Sequence, residues 1–496
     1  MISLTAAEIA DLTHGRLTVQ TDVVPSSVVT DSREVSPGSL YVAKRGEYAD
    51  GHDFVAAAFE RGAVLVLAER EVTDADGNPY PAVVVKDAVL AMGALAAECV
   101  RRIRSGREQR GEDFTVVGIT GSAGKTTTKD LLAGVFSAAG NTIAPQGSYN
   151  GEVGVPLTVF SADEDTRFLV IEMGATGIGH IKYLADLVKP DIGVVLMVGT
   201  AHAGEFGGVE NIAKTKGELV EALSEQGTAV INLDDGRVAA MRTRTKAKVL
   251  GFTAAPATTE EVEARNVVVT DEGHPTFDLV LPDGGPSVRV RSRLIGGHHV
   301  TNLLAAAAAA FAAGIPADDI ATALSSQSAA SRWRMERIER EDGVTIINDA
   351  FNANPESMRA ALRTLADLGQ GRRTWAVLGA MLELGKDSIR EHTAVGTQVV
   401  RLNISRLVVV GREARALYVS AIQEGSWGDE CSFTKTVDEA YELLQNELRP
   451  GDLVLFKSSK AVGLRHLGDR IALPPRAGSA GDSAAGDAAN EGNDLQ

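Results

Sequence analysis

The sequence predicts an α/β protein of three domains: a small N-terminal α/β domain, a central domain of parallel-sheet type built on a P-loop, and a C-terminal Rossmann-like domain. Three observations carry this expectation. Short, uninterrupted apolar runs bounded by Gly or Pro alternate with helix-length segments, the pattern of parallel strands covered on both faces. A glycine-rich turn, GSAGKTTTK, joins one such run to an amphipathic stretch. Beyond residue 330, a second series of runs leads from strand into loop.

Taken in order, the first block (1–108) holds the runs SLYVA and AVLVLAE and the helical stretch HDFVAAAFERG, and it ends in the charged, helix-like VRRIRSGREQRGED. It reads as a small α/β domain. The second block (109–328) opens with DFTVVGITGSAGKTTTKDLLAGVFSAAG, a strand, a Gly-rich turn and a helix. RFLVIEMGA, DIGVVLMVG and GTAVINLDD follow as further buried strands, and LLAAAAAAFAA at 303–313 reads as a buried helix. The third block (329–474) contains TWAVLGAMLELG, RLVVVGREARAL and DLVLFKSSKAVG. The tail, 475–496, lacks large apolar residues and is expected to be disordered.

Composition narrows the function classes. Hydrophobic residues make up 44% and charged residues 23%, ordinary values for a globular protein with full cores. A net charge of −17 argues against a dedicated nucleic-acid binder. Only Cys99 and Cys431 occur, so neither a disulfide framework nor a cysteine metal site can be built. A reducing cytoplasm fits. MISLTAAEIADLTHG has no basic segment leading an apolar core, so no secretory signal is expected. No apolar run approaches the length of about 20 residues that spans a bilayer.

The usual P-loop spacing is G-x-x-x-x-G-K-[ST]. Here Gly118 stands one residue too early, and the tighter signature is Gly121-Ser122-Ala123-Gly124-Lys125-Thr126-Thr127. Its physics is unchanged. Glycines let backbone N–H groups turn inward as an anion nest, and a helix N-terminus adds its positive end. Lys125 supplies a mobile charge for outer phosphates, and Thr126 a hydroxyl for Mg²⁺. The competing reading is a bare strand–turn–helix junction with a surface lysine. Glu172, after four apolar residues in FLVIE, is placed to hold a metal, or is structural. His202, after the next buried strand, is a second candidate ligand, although hard Mg²⁺ prefers oxygen.

The ordered motifs GITGSAGKTTTK, FLVIEMGATGIGHI, VGTAHAGEFGGVENIAKTKGEL, GGHHVTNLLAAAAA and NDAFNANPESMRAAL together resemble the Mur ligase family of peptidoglycan synthesis. The resemblance covers nearly all of residues 28–465. It implies ATP-dependent amide ligation, in which a terminal carboxylate becomes an acyl phosphate that an amine then attacks. NDAFNANPESM resembles the member that joins D-alanyl-D-alanine to UDP-N-acetylmuramoyl-tripeptide, and no DNPR motif of the third-residue ligase is present. A monomer acting in the cytoplasm, with ATP and Mg²⁺ and without membrane or nucleic-acid partners, is the implied setting.

Carried over by motif, Glu172 and His202 match the family's Mg²⁺ positions, and Lys216 in KTKGEL matches the lysine that the family carbamylates. An ammonium repels Mg²⁺, whereas a carbamate can ligate it through oxygen. Lys214 is the neighbouring alternative, and a solvated helix face is the plain reading of either. Asn302, with His298 beside it, matches the segment near adenine; helix polarity alone is the alternative. Arg334, Asp349, Asn352 and Asn354 would close over nucleotide and substrate, although Asn and Asp before Pro also read as a turn. The first block resembles a UDP-sugar-binding domain, with Ser32, Arg33, Lys44, Gly46, Asp50, Gly51 and His52 as candidate contacts. SYNGEVGVPLT, with Asn150, resembles the loop beside the activated carboxylate.

Gly151, His299, Ala350, Phe351 and Ala380 depart from the family pattern, as does KSSKAVGLRHL. None of these removes the phosphate loop, Glu172, His202 or Lys216. Another Mur-type or folylpolyglutamate ligase, or a non-ligating P-loop switch, are the competing functions. The DSR…DGHDF block argues against the folate ligase, and a switch needs neither that block nor His202 and Lys216.

Overall fold

A computed structural model describes residues 1–473, apart from 47–48, 146, 201–202, 256–259, 283 and 426–429. The expected disordered tail, 475–496, lies outside the described residues. Three sheets, of five, nine and six strands, are found among the described residues.

In the first sheet, Ser27–Val29, Ser39–Ala43, Leu65–Ala68 and Ala82–Val84 run parallel, and Arg16–Leu17 pairs antiparallel at one edge. SLYVA is buried throughout, as a strand covered on both faces must be. The chain then enters the helix Ala88–Gln109, whose first turn is capped by the Asp87 carboxylate accepting from the Leu90 N–H at 2.9 Å. This helix packs on the helices Gly154–Phe160 and His180–Val188 of the second block. One apolar core therefore runs from Leu40 and Leu67 through Leu95 to Val155 and Leu184. The first two sheets are joined by packing as well as by chain.

In the second sheet, Thr115–Thr120 lies between Phe168–Glu172 and Ile192–Val195, all parallel. Thr228–Asn232, Lys248–Thr253 and Val262–Val269 extend it on one side, again parallel. Strand order reverses at Thr115–Thr120, so the loop after this strand sits where open α/β sheets bind ligands. The parallel expectation meets an addition at the far edge. Pro275–Val280 and Val288–Arg291 pair antiparallel there. Burial alternates along Pro275–Val280, as in a strand with one solvated face, so no long apolar run marked it in the sequence.

The Ala-rich segment is the helix His299–Ala312, with Ala305 through Ala310 all fully buried. It lies against the helix Lys125–Ala139 and the sheet. Side chains this small let the helix pack closely there, and larger ones would overpack the core.

In the third sheet, Thr345–Asn348, Leu453–Lys457, Thr374–Leu378, Arg406–Val410 and Cys431–Thr434 are parallel, with Glu336–Glu339 antiparallel at the edge. Separate apolar cores fill its two faces, as a Rossmann-like sheet requires. Among the described residues no helix is long and apolar enough to cross a membrane.

Candidate active site

The strand Thr115–Thr120 ends in the turn Gly121–Gly124, and the helix starts at Lys125. Two of the glycines are required by geometry. Gly124 has φ +83°, and a Cβ there would lie 2.3 Å from Asn302 Oδ1. A Cβ on Gly121 would lie 2.9 Å from Leu196 Cβ. Asn302 therefore presses directly on the phosphate loop, and its Nδ2 lies 3.1 Å from His299 Nδ1. His299, one of the departures, thus helps to hold Asn302. Gly124→Ala combines a left-handed backbone with this clash and is expected to raise the KM for ATP about tenfold or more. Gly236→Ala, with nothing within 4 Å of its Cβ, is the silent control in the same steady-state assay.

Ser122 is tied on three sides. Its N–H donates to the Met197 carbonyl at 3.0 Å, its Oγ accepts the Gly199 N–H at 2.9 Å, and its carbonyl accepts Asn354 Nδ2 at 3.1 Å. Lys125 Nζ donates to the Gly121 carbonyl at 2.8 Å.

Next to this loop, the buried Glu172 carboxylate closes its strand, as the apolar run before it implied. Thr126 Oγ1 donates to one oxygen at 2.9 Å. Ser148 Oγ and Asn150 Nδ2 donate to the other at 3.1 and 2.8 Å. A buried carboxylate without such donors would be costly. Ser148 was legible only as part of SYNGE; its bond to Glu172 spans 24 residues and has no local signature.

Three basic side chains gather here: Lys125 and Arg334 feel the Glu172 charge, and Lys216 feels Lys125. Desolvation pushes the Lys125 amine down, the Glu172 charge opposes that, and Arg334 adds to it. Lys216, 7% exposed on the helix Val209–Glu221, is pushed well below the ordinary lysine value by burial and then by Lys125. No hydrogen bond or ion pair holds its Nζ among the described residues. Arg334 is likewise lowered by burial, against the pull of Glu172, Asp349 and Asp130. Its Nε is buried without a partner, and its guanidinium lies 4.3 Å from the Phe351 ring centroid. Phe351, another departure, thus serves as a platform for Arg334. Trp333 and Met335, on either side, have φ +59° and +53°, an uncommon backbone that fixes where Arg334 points.

The third domain supplies Asp349, which accepts from Lys457 Nζ at 2.6 Å and from the Met335 N–H at 3.1 Å. Lys457 carried no signal in the sequence, because its partner lies 108 residues away. Asn352 is exposed, and its Oδ1 accepts the next residue's N–H at 2.9 Å. His298 is pushed to about 4 by burial, and Asp349 opposes the shift. Ala350 and Ala380 are buried, whereas Gly151 faces open space. His202 lies outside the described residues.

In the first domain, the Asp50 carboxylate is held below its usual range by His52, and Arg70 also bonds it. His52 Nε2 accepts the Glu69 N–H at 2.9 Å, so its Nδ1 carries the proton given to Asp50. Gly51 donates its N–H to the Lys44 carbonyl at 2.9 Å and leaves no room for a Cβ. Gly46 donates to Ala49 at 2.8 Å. Asp50 and His52 thus close the turn on each other, and Gly51 ties it to Lys44. Arg33 stands exposed and paired with Asp31 at 2.6 Å, with Ser32 and Lys44 half-buried nearby in the chain. The strand Ser27–Val29 packs on the helix Gly154–Phe160, which follows the Asn150 loop.

Three family models match the chain in order: the Mur ligase family catalytic domain over residues 26–103, the Mur ligase middle domain over 119–310, and the Mur ligase glutamate ligase domain over 333–460. The UDP-N-acetylmuramoyl-tripeptide–D-alanyl-D-alanine ligase of Mycobacterium tuberculosis is 42% identical across 97% of this chain and 99% of its own length. The enzyme of the same name from Escherichia coli is 34% identical across 84% and 88%. Among solved structures, MurF from Acinetobacter baumannii aligns with a TM-score of 0.82 at 30% identity, covering 95% of this chain and 99% of that one. MurF ligase from Thermotoga maritima in complex with ADP aligns with a TM-score of 0.75 at 27% identity, covering 91% and 98%. Sequence, architecture and the arrangement around the phosphate loop agree, and the chain belongs to the Mur ligase family.

Proposed function

We infer that this chain is an ATP-dependent amide ligase that joins D-alanyl-D-alanine to the peptide end of UDP-N-acetylmuramoyl-tripeptide. The observation that carries the reading is electrostatic. Lys125 and Arg334 are desolvated beside the buried carboxylate Glu172, and Lys216 is desolvated against Lys125, so basic groups converge on the phosphate loop. Such a site suits a polyanion, and ATP with a peptide carboxylate is one. Near-full-length likeness to ligases of that name selects the substrates.

A carboxylate is inert to amines because oxide is a poor leaving group. Here one carboxylate oxygen attacks the γ-phosphorus and ADP departs. The acceptor nitrogen, as the free amine, then attacks the acyl carbon and gives up one proton, the C–O bond to phosphate breaks, and inorganic phosphate leaves with that oxygen. Lys125 and the inward N–H groups of residues 121–127 stabilise the charge that moves through the transferred group. Arg334, Asp349 and Asn352 approach from the third domain, and Asn302 bears on the nucleotide side.

The donors at Glu172 suit Mg²⁺. A carboxylate and the hydroxyls of Thr126 and Ser148 are all hard oxygen ligands, and Glu172 is reached from both sides of the cleft. Mg²⁺ held there would neutralise phosphate charge. His202 and a carbamylated Lys216 complete the proposed set. Carbamylation needs a neutral amine whose lone pair adds to CO₂, with loss of one proton. The depressed pKa of Lys216 provides that neutral form. In the first domain, taken as residues 1–108, Ser32, Arg33, Lys44, Gly46, Asp50, Gly51 and His52 surround the proposed uridine-diphosphate site. The central domain (109–328) and third domain (329–474) bring nucleotide and acceptor together in a monomer acting in the cytoplasm.

Oxygen labelling tests the chemistry. With the tripeptide carboxylate ¹⁸O-labelled, one label is expected in the phosphate released, and release is expected to need both UDP-tripeptide and D-alanyl-D-alanine. ATP hydrolysis indifferent to either substrate would reject ligation in favour of a nucleotide switch.

A further inference from the structure

The third domain touches the central one through the N-terminal turn of the helix Pro355–Leu368. Asn354 caps this helix by accepting from the Ser357 N–H at 2.8 Å, and with its free Nδ2 it reaches the Ser122 carbonyl in the phosphate loop. Two residues on, Glu356 Oε1 accepts both the N–H and the hydroxyl of Thr200, at 3.0 and 2.9 Å. Gly199, between these contacts, donates to Ser122 Oγ. A Cβ on Gly199 would lie 2.7 Å from the Glu356 carboxyl carbon, so any side chain there would displace this carboxylate from its present position. The bonds form a closed ring: Asn354 to Ser122, Ser122 to Gly199, Thr200 to Glu356, and back along the helix turn.

We propose that Glu356 is a positioning residue for the ligation: through Thr200 and the Asn354–Ser122 bond it makes seating of the third domain depend on the conformation of the phosphate loop. This rests on the reading of residues 121–127 as the nucleotide cradle. Several features point to a coupling rather than to plain adhesion. Both partners of the helix turn are loops at the carboxyl ends of neighbouring strands, Thr115–Thr120 and Ile192–Val195, where a bound phosphate acts. The two loops are bonded to each other through Ser122, so neither can shift without moving its contact to the third domain. Glu356 Oε2, meanwhile, is buried with no hydrogen-bond partner among the described residues, while Arg359 pairs with Oε1 at 3.4 Å. The seated arrangement thus desolvates one carboxylate oxygen that only the neighbouring Arg359 charge offsets, a cost that favours a reversible seat.

The test is steady-state kinetics on the full chain. Glu356→Ala is expected to lower kcat/KM for ATP and for D-alanyl-D-alanine about tenfold, the scale of losing hydrogen bonds to a charged acceptor. Binding of UDP-tripeptide without ATP, by calorimetry, is expected to stay at the wild-type value, since that ligand rests on the first domain. Glu356→Gln keeps the accepting oxygen and is expected to recover most of the activity. Thr200→Val is expected to cost less than Glu356→Ala and to be non-additive with it. Glu356→Ala with wild-type kinetics, or strict additivity with Thr200→Val, would overturn the proposal. So would a Glu356→Gln variant that folds, by its melting curve, and is as impaired as Glu356→Ala. An inactive wild type, by contrast, would overturn the ligase reading and not the coupling.

Discussion

Lys125→Ala is expected to reduce turnover about a thousandfold while leaving the fold intact, the scale seen when one preorganised charge-stabilising donor is removed. The amine sits in surroundings that disfavour its charge, and among the described residues its hydrogen bond goes to the Gly121 carbonyl at 2.8 Å. On the proposed reading, a phosphate oxygen would offer it a better partner as charge develops on the transferred group, and loss of the side chain would remove that stabilisation. The melting temperature is expected to hold or rise, because the variant no longer desolvates a cation. Lys125→Arg is not expected to rescue. A planar fork does not fit a nest shaped around a point charge, in which Gly124 already lies against Asn302. A coupled phosphate-release assay checks the first expectation, and calorimetry the second. Activity within tenfold of wild type would remove Lys125 from the mechanism.

The second large effect concerns Lys216. Lys216→Ala is expected to abolish measurable turnover, and formate or acetate at high concentration is expected to restore part of it by supplying a carboxylate in the vacated space. The direction with pH follows from the depressed pKa. A lysine takes up CO₂ only as the free amine, so occupancy rises as pH rises through the group's own pKa. For Lys216 that rise begins well below the ordinary lysine range, because burial and then Lys125 hold its pKa down. With ¹³C-labelled bicarbonate, a carbamate signal present in wild type and absent from Lys216→Ala is expected near neutral pH. Normal activity in Lys216→Ala without added carboxylate would rule out its role.

Much of this site was legible in the sequence because its chemistry is local. Gly121 to Thr127 announce themselves by spacing, and Glu172 by the apolar strand that ends on it. SLYVA forms a strand over its whole length, and the Ala run forms a buried helix, since in both cases the burial is written into consecutive residues. What the sequence hid is whatever depends on a distant partner. Glu356 meets Thr200 across 156 residues, and Asn354 meets Ser122 across 232. Nothing in NANPES distinguishes a capped helix start from one that also grips another domain. The antiparallel edge at 275–291 was hidden for a different reason, because half of its side chains face solvent and leave no continuous apolar run. Phe351 and His299 read as departures from a pattern, and only geometry shows the ring under Arg334 and the nitrogen beside Asn302.

The third domain also meets the central one at a second point, where Gly385, with φ +55°, lies so near Gly204 that a Cβ on Gly204 would be 2.8 Å from the Gly385 Cα. Backbone rests on backbone there, with no side chain on either partner to lock into or release from a rotamer. Parting such a joint sacrifices no interdigitated packing and reorders almost nothing, so its contribution to the barrier for opening is small. Bulk at either position would prop the two bodies apart. A single methyl group on Gly204 is expected to hold the two backbones apart at this point.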